Sequence, residues 1–305
     1  MIGIFGQDED EQVKLLKKRL EEKGEKVYII NFRHFPKDKK VLIDHEKIVF
    51  DGIDLMGTDV FYVRQLGYFW PIPQEKLTRD EWISMYGKYW EYLTNEREIL
   101  SLKHSLIRIL SREKFVVNPY DSFMYHRLKP LQLWLFKKNN LPIPEFVAGN
   151  DLTHVEVGKM IYKALAGGIH AELVDESFFE TYKDLSEVRP GLFQKYIKGK
   201  NIRAYAVGDE FIGAGLLISG PQVDSRVEQK GVEVVELPEY VKEVAIKAKN
   251  ILGMHFSGID FMHSEEGDYY LLECNPSPMF YGFELMTNIP ISEKLANFLI
   301  RNIKR

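Results

Sequence analysis

The chain has 305 residues, 45% apolar and 28% charged, so it is long enough for more than one core and has the composition of a globular protein. Its 41 basic and 45 acidic residues give a net charge of −4, which argues against nucleic acid as a partner. No apolar run approaches the ~20 residues of a membrane span, and the N-terminus turns acidic at Asp8, unlike a signal peptide. Cys274 is the one cysteine, so no intrachain disulfide forms. These features predict a cytoplasmic protein that contacts neither nucleic acid nor a membrane.

The first third of the chain alternates strand and helix patterns. Buried strands are predicted at residues 1–5, 26–32 and 58–64, and a helix capped by Asp8 or Asp10 joins the first two. Because a strand–helix–strand unit places its strands side by side in one direction, this pattern predicts a parallel sheet. The first third is therefore expected to form an α/β lobe.

A long helix is predicted over residues 79–113. Large apolar side chains recur on one side of it, at Trp82, Tyr86, Tyr89, Trp90 and Leu93. We interpret this side as packing against the rest of the lobe. The alternative is a dimer face, which leaves a homo-oligomer open.

The rest of the chain mixes strands and helices in an order typical of an α+β fold. A domain boundary is predicted near Asn118 and Pro119, where a strand runs into a turn. A hairpin is predicted to turn at Gly208 and Asp209, and another occupies residues 256–275. This last hairpin carries the most informative side chains of the sequence.

Oxygen-bearing side chains gather near the end of the final hairpin. Glu273 and Asn275 are two residues apart on a strand, so they point to one face while Cys274 points to the other. If a two-residue loop joins the strands, at residues 265–266 or 266–267, Asp260 of the partner strand lies on the same face as Glu273. The two carboxylates are then diagonal or directly opposite.

Two adjacent carboxylates repel each other unless a cation lies between them. Carboxylate and amide oxygens are ligands suited to Mg²⁺ or Mn²⁺, and Mg²⁺ commonly combines few protein carboxylates with substrate phosphates. Asp260, Glu273 and Asn275 are therefore candidate metal ligands. The structural alternative is a solvated strand end.

A magnesium–phosphate site requires cations elsewhere in the chain. Lys163 ends an apolar strand and is followed by Gly167 and Gly168, whose backbone N–H groups could approach phosphate oxygens. Other candidate cations, each with a surface or structural role as its alternative, are Lys129, Arg203 and Arg226. Arg64, at the end of a strand in the first lobe, could hold a substrate carboxylate or form a structural salt bridge.

In these segments the sequence resembles the ATP-grasp superfamily, from residue 118 to residue 305. The branch that it resembles contains ribosomal-protein glutamate ligases, glutathione synthetases and peptide-crosslinking ligases. The segments that carry the resemblance, in chain order, are HRLKPLQLWLFKKNNLPIPEF, YKALAGG, LFQKYIKGKNIRAYAVGDEFIGAG and GIDF followed by YYLLECNPSP.

The resemblance implies a fold and its divisions. An N-terminal parallel α/β domain, residues 1–117, would precede a two-lobed ATP-grasp fold. That fold would consist of a central lid subdomain, residues 118–198, and a C-terminal subdomain, residues 199–305.

The resemblance also implies a nucleotide site. Lys129 and Lys163 would contact the ATP phosphates beside the glycine-rich loop of Gly167 and Gly168. A hinge strand would hold the adenine, with backbone groups of Lys195 and Ile197 reading its edge. The full hinge would consist of Gln194, Lys195, Tyr196 and Ile197.

The implied chemistry is ATP-dependent amide formation. Asp260, Glu273 and Asn275 would hold Mg²⁺, while Arg203 and Arg226, with Lys163, would act on the transferring phosphoryl group and the acyl phosphate. The substrates would be a carboxylate and an amine, on small molecules or peptides. The alternatives are a phosphotransferase acting on a hydroxyl, a non-catalytic ATP-binding module, and a plain α/β scaffold.

Overall fold

A computed structural model describes most of the chain: residues 1–33, 35–66, 77–165, 171–180, 190–218 and 231–303. It divides into two compact units, Met1–Tyr120 with Leu299–Arg305, and Asp121–Phe298. Three predicted site residues, Gly167, Gly168 and Arg226, lie outside the described residues. Within these ranges, every helix is too short or too polar to serve as a membrane span.

The described residues of the first part form seven strands, a short 3₁₀ helix at Leu55–Gly57 and four helices. The strands are β1 (Ile2–Phe5), β2 (Val27–Ile30), β3 (Val41–Ile43), β4 (Ile48–Phe50), β5 (Ile53–Asp54), β6 (Val60–Val63) and β7 (Phe115–Val117). The helices are α1 (Glu11–Glu22), α2 (Arg79–Tyr86), α3 (Tyr89–Glu113) and α4 (Tyr120–Met124).

The predicted parallel sheet is confirmed. Its order is β2-β1-β6-β7 and each neighbouring pair is parallel, with Ile4 of β1 opposite Ile29 of β2. Asp10 caps α1, because its Oδ1 accepts a hydrogen bond from the Gln12 N–H at 2.8 Å. Strands β3, β4 and β5 form a small antiparallel sheet that the sequence pattern did not indicate.

The long predicted helix differs from the structure in two ways. It is interrupted between α2 and α3, at Gly87 and Lys88. Three of its aromatic side chains are exposed, with Trp82 at 41%, Tyr86 at 86% and Trp90 at 79%. The packing interpretation is therefore wrong for these three side chains, and the alternative of a dimer face stays a prediction.

The described residues of the second part form nine strands and, besides the helical residues 176–180, four helices. The strands are β8 (Phe146–Gly149), β9 (Met160–Lys163), β10 (Glu172–Leu173), β11 (Gly191–Lys195), β12 (Gly199–Val207), β13 (Glu210–Ile218), β14 (Gly231–Val235), β15 (Phe256–Ser264) and β16 (Tyr269–Asn275). The helices are α5 (Lys129–Lys138), α6 (Glu239–Ile251), α7 (Tyr281–Thr287) and α8 (Ile291–Arg301).

These strands form two antiparallel sheets. The smaller has the order β10-β9-β11-β8, and the larger has the order β14-β13-β12-β15-β16. Helices α5 and α6 pack on the larger sheet, where Phe136, Ala245, Ile259 and Leu271 share one apolar core. A parallel α/β unit followed by two antiparallel lobes is the fold class that the sequence predicts.

Lys249 of α6 is a charged side chain buried at the edge of this core. It is 1% exposed, and its Nζ donates to the Asn250 side chain at 2.5 Å and to the Met254 carbonyl at 2.9 Å. Burial lowers the pKa of Lys249 from 10.5 to about 8, although Asp209 opposes the shift. The folded state therefore releases this proton more readily than the unfolded state does.

We expect the contribution of Lys249 to the free energy of unfolding to rise between pH 8 and pH 10.5. In this window the unfolded state binds more protons than the folded state, which adds about 3 kcal/mol in all. Urea unfolding of the wild type and Lys249→Met at several pH values measures the difference between them, which should grow with pH. Lys247→Met, on the same helix, is the control. A constant difference for Lys249→Met would contradict the expectation.

Candidate functional site

The two predicted carboxylates meet on the final hairpin. Asp260 of β15 lies directly opposite Glu273 of β16, and Gly258 lies opposite Asn275. Glu273 and Asn275 are two positions apart on one strand and so share a face. Cys274 between them is 1% exposed and belongs to the apolar core, as the alternation predicts.

The hairpin reaches this pairing by a different route from the predicted one. The Ser264 N–H donates to the Asp268 carbonyl at 2.8 Å, so the turn inside this pair has three residues, 265–267, with Gly267 at φ 95°, rather than two. A loop of this length alone would place Asp260 opposite Leu272, on the wrong face. An irregularity after Asp260 leaves Leu272 as an extra residue and restores the parity. The shared face is confirmed, and the two-residue loop is wrong.

Arg203 holds the first carboxylate. It lies on β12 directly opposite Asp260, and its guanidinium binds that carboxylate through two hydrogen bonds, Nε to Oδ1 and Nη2 to Oδ2, the latter 2.9 Å long. Burial raises the pKa of Asp260, while Arg203 opposes the shift and nearby Glu273 adds to it. The fork geometry fixes the orientation of the carboxylate.

Lys129 holds the second carboxylate. It is the first residue of α5, and its Nζ lies 3.1 Å from Glu273 Oε2. Burial alone would raise the pKa of Glu273, but the charges of Lys129 and Lys163 outweigh it and bring that pKa to about 2. Glu273 therefore remains an anion at neutral pH.

The cluster carries a net positive charge. Asp260 and Glu273 supply two negative charges, whereas Lys129, Lys163 and Arg203 supply three positive ones. A net positive charge in the site suits a polyanionic ligand such as a nucleoside triphosphate. The positive charge of Lys163 lowers the pKa of both Asp260 and Glu273, so Lys163 belongs to this cluster.

Lys163 also borders a cleft between the smaller and larger sheets. Besides Lys163 the cleft is lined by hinge residues and by Met262 and Leu272. Gln194 of the hinge is 2% exposed, and its Nε2 has no hydrogen-bond partner within the described ranges. A buried amide donor without a partner is costly, so a ligand acceptor in the cleft would stabilise it.

Two backbone N–H groups of the hinge already donate hydrogen bonds to backbone carbonyls of the protein. The Lys195 N–H donates to the Glu145 carbonyl and the Tyr196 N–H to the Lys159 carbonyl, each at 2.8 Å. The Ile197 N–H donates to no backbone carbonyl in the part of the chain that the structure describes. Of the two residues predicted to read adenine, Ile197 can donate its N–H, whereas Lys195 is limited to its carbonyl.

The donors at the hairpin fit a hard divalent cation. In the described portion of the chain, no three His, Cys, Asp or Glu side chains form a metal-binding group. Two carboxylates and the Asn275 amide, whose Oδ1 also accepts from the Ser277 N–H at 2.9 Å, supply oxygen ligands only. This incomplete all-oxygen set is typical of Mg²⁺ bound jointly by protein and substrate phosphates.

The chain after Asn275 folds back on the site. A Cβ placed on Gly258 would lie 2.6 Å from the Pro278 Cβ, so only glycine permits this approach. The Tyr205 hydroxyl donates to the Met279 carbonyl at 2.6 Å and holds the same segment. The segment after Asn275 therefore crosses β15 at Gly258, beside Arg203.

Arg64 forms an ion pair within the first unit. Its Nε lies 3.0 Å from Asp10 Oδ2, and both side chains are about nine-tenths buried. Of the two roles left open by the sequence, the geometry favours the structural salt bridge. Asp10, the cap of α1, thereby also joins the helix to the end of β6.

Gln132 hydrogen-bonds to the backbone of the strand that carries the site, a role that the sequence pattern did not reveal. It is a buried α5 residue whose Oε1 accepts from the Cys274 N–H at 2.6 Å and whose Nε2 donates to the Cys274 carbonyl at 3.2 Å. It thus fixes the β16 backbone between Glu273 and Asn275. Its position among the apolar residues of α5 is the one signal that could have identified it.

We expect Gln132→Leu to destabilise the protein by about 2 kcal/mol, because it leaves the buried N–H and carbonyl of Cys274 without partners. Urea unfolding at neutral pH measures the loss. Gln132→Glu keeps an acceptor for the N–H. It should destabilise the protein less at low pH than at neutral pH, because the protonated carboxyl can also donate. Equal stability of Gln132→Leu and the wild type would show that this contact does not hold the strand.

Comparisons with known proteins agree on one family. Residues 176–299 match the model of the RimK-like ATP-grasp domain. Over 221 residues the chain is 28% identical to tetrahydromethanopterin:alpha-L-glutamate ligase of Methanocaldococcus jannaschii, covering 66% of this chain and 76% of that protein. Over 114 residues it is 37% identical to human N-acetylaspartylglutamate synthase A, covering 36% of this chain but only 29% of the synthase.

A solved structure matches nearly the whole chain. The ATP-grasp ligase PsnB, complexed with a phosphomimetic variant of its minimal precursor, Mg and ADP, superposes with a TM-score of 0.82 at 26% identity. The match covers 99% of this chain and 98% of that chain. Both units therefore have counterparts in one known architecture.

Proposed function

This chain belongs to the ATP-grasp carboxylate–amine ligases, and from that premise we propose that it forms amide bonds on a peptide substrate. It uses ATP and Mg²⁺. The relative PsnB is complexed with Mg and ADP in one solved structure and with AMPPNP in another. The observation that carries the proposal is the pairing of Asp260 with Glu273 on one face, each held by its own cation.

The reaction has two steps. A substrate carboxylate oxygen attacks the γ-phosphorus of ATP, so that a new O–P bond forms, the bond to the β-phosphate oxygen breaks and ADP leaves. An amine nitrogen then attacks the acyl carbon, a C–N bond forms, inorganic phosphate leaves and the amine releases a proton. Neither step needs a protein nucleophile, which is consistent with Cys274 being buried away from the carboxylate face.

The residues of the chain supply positioning and charge. Lys129 and Lys163 would hold the phosphates, and Ile197 and Gln194 would contact the adenine in the cleft. The metal, when bound by Asp260, Glu273 and Asn275, neutralises charge on the phosphates. Arg203 fixes Asp260, and its guanidinium would also support the transferring phosphoryl group. Arg226, Gly167 and Gly168 keep their predicted roles as proposals.

A peptide is the substrate class that the whole-chain likeness supports best. The solved structures of PsnB, at 25% or 26% identity, are each complexed with a minimal precursor, a variant of it or a precursor peptide. The second candidate is the addition of free glutamate, because relatives matched over long segments are named glutamate ligases. Both candidates use the same ATP site and differ in the carboxylate and amine supplied.

A phosphate-release screen tests the proposal. Purified protein is incubated with ATP, MgCl₂ and either amino acids or peptides that contain both acidic and lysine side chains. Release of inorganic phosphate together with a product lighter by 18 Da than the combined reactants supports ligation. A stable phosphoester would identify a phosphotransferase instead. Nucleotide binding without phosphate release, for every substrate tried, would favour a non-catalytic module.

A further inference from the structure

Lys103 of α3 is a cation that the proposed reaction does not use. Its Nζ lies 5.2 Å from the centroid of the Phe32 ring and 6.0 Å from that of Phe35. In the described ranges no carboxylate lies within ion-pair distance of it. The cations Lys129, Arg203 and Arg64 each have such a partner.

The rings around Lys103 mark the carboxyl ends of two strands. Phe5 is the last residue of β1, and Phe32 follows the end of β2 by two residues. The Phe5 and Phe32 rings stack with centroids 6.4 Å apart, and Phe35 meets Phe32 edge-on at 5.5 Å. In open parallel sheets ligands bind outside the carboxyl ends of the strands, which is where this ammonium lies.

The group is accessible and electrostatically unbalanced. Lys103, Phe32 and Phe35 are each half-buried, so a ligand can reach all three. Burial lowers the pKa of Lys103, and Glu96 on the same helix only partly opposes the shift. Ring faces stabilise a cation less than an anion does, so the ammonium would gain from a carboxylate.

We propose that Lys103, Phe32 and Phe35 form a binding site for the carboxylate of an acidic side chain. The ammonium would bind the carboxylate, and the exposed ring surfaces would contact the methylene groups that carry it. This favours glutamate or aspartate side chains over phosphate, which has no apolar stem. The site requires no nucleotide and goes beyond the ligase reaction. A free acidic amino acid and a peptide residue present the same chemistry.

Binding measurements on the full-length protein without nucleotide test the site. The probes are L-glutamate and a short amidated, acetylated peptide whose only acidic group is an internal glutamate. Titration calorimetry should show saturable binding of at least one probe, and none of the peptide with glutamine in place of glutamate. Binding of the peptide alone would identify a peptide source, and binding of both would identify the shared side chain. If neither probe binds the wild type, the proposal is overturned.

Variants separate this site from any other. Lys103→Met should weaken binding at least about tenfold, Lys103→Arg should retain it, and Lys88→Met at the exposed start of α3 should leave it unchanged. Equal affinity of Lys103→Met and the wild type would overturn the site. If Lys103→Met fails to fold, the test is acylation of the Lys103 amine in the wild type, with and without probe. A bound probe should slow this acylation. Glu273→Gln should bind the probe as the wild type does. The binding test therefore remains valid even if the ligase proposal fails.

Discussion

Glu273→Gln is expected to lower the turnover of ATP-dependent amide formation at least ~100-fold. The substitution keeps the shape of the side chain but removes the charge that Lys129 neutralises and that a divalent cation requires. Glu273 lies opposite Asp260 and is the member of the pair held by a single lysine contact, at 3.1 Å. The loss should therefore fall on chemistry more than on folding. Phosphate release with a responsive substrate measures it.

The control for this experiment lies on the same hairpin. Glu266 is exposed in the turn between β15 and β16, so Glu266→Gln removes an equal charge far from the paired carboxylates. It should retain full turnover, and circular dichroism should show both variants folded. Undiminished phosphate release by Glu273→Gln would remove the carboxylate pair from the mechanism.

Arg203→Leu is expected to destabilise the protein by about 3 kcal/mol, because it leaves Asp260 without its partner in a largely buried position. The value is at the lower end for buried ion pairs because the two side chains keep 21% and 19% exposure. Turnover should also be lost, since Asp260 would no longer be oriented. Urea unfolding at neutral pH gives the stability change.

A double variant distinguishes the cost of the orphaned charge from the value of the pair. Arg203→Leu/Asp260→Leu should recover most of the lost stability, because apolar replacement of a buried pair is often near neutral. Lys198→Leu, which breaks an exposed pair with Glu265, should leave stability close to that of the wild type because solvent screens the pair. If Arg203→Leu costs no more than Lys198→Leu, the fork between Arg203 and Asp260 contributes no net stability.

These expectations also modify what the sequence implied for Asp260. The sequence predicts Asp260 as a candidate metal ligand and does not indicate a partner for its carboxylate. In the structure both of its oxygens accept from Arg203. Asp260→Asn would weaken that fork, so it tests folding and activity together. Glu273→Gln is the cleaner probe of the metal site for this reason.

Local pattern was sufficient for most elements of the fold. Period-two alternation located β15 and β16 and set Cys274 apart from its neighbours, and the spacing of Val13, Leu16 and Leu20 located α1. Such patterns report which side of an element meets a core, because burial follows the period of the backbone. They also predicted the candidate residues of the metal site, among which the structure pairs Asp260 with Glu273.

Other features depended on contacts between distant residues. Gln132 fixes the backbone of Cys274 across 142 positions of sequence, and Arg203 meets Asp260 across 57. The short strands β3, β4 and β5 form only because they pair with one another. No local period encodes such partners, since the energy arises when the chain brings them together.

The sequence by itself determined the fold class, the order of its elements and the residue types that a ligase site needs. The tertiary structure decided the register, through an extra residue at Leu272 that compensates for a three-residue turn. It also decided which cation holds which carboxylate, and it left Lys103 among aromatic rings. The reason is physical: periodicity follows from local backbone geometry, whereas pairing and charge balance are properties of side chains brought together from distant parts of the chain.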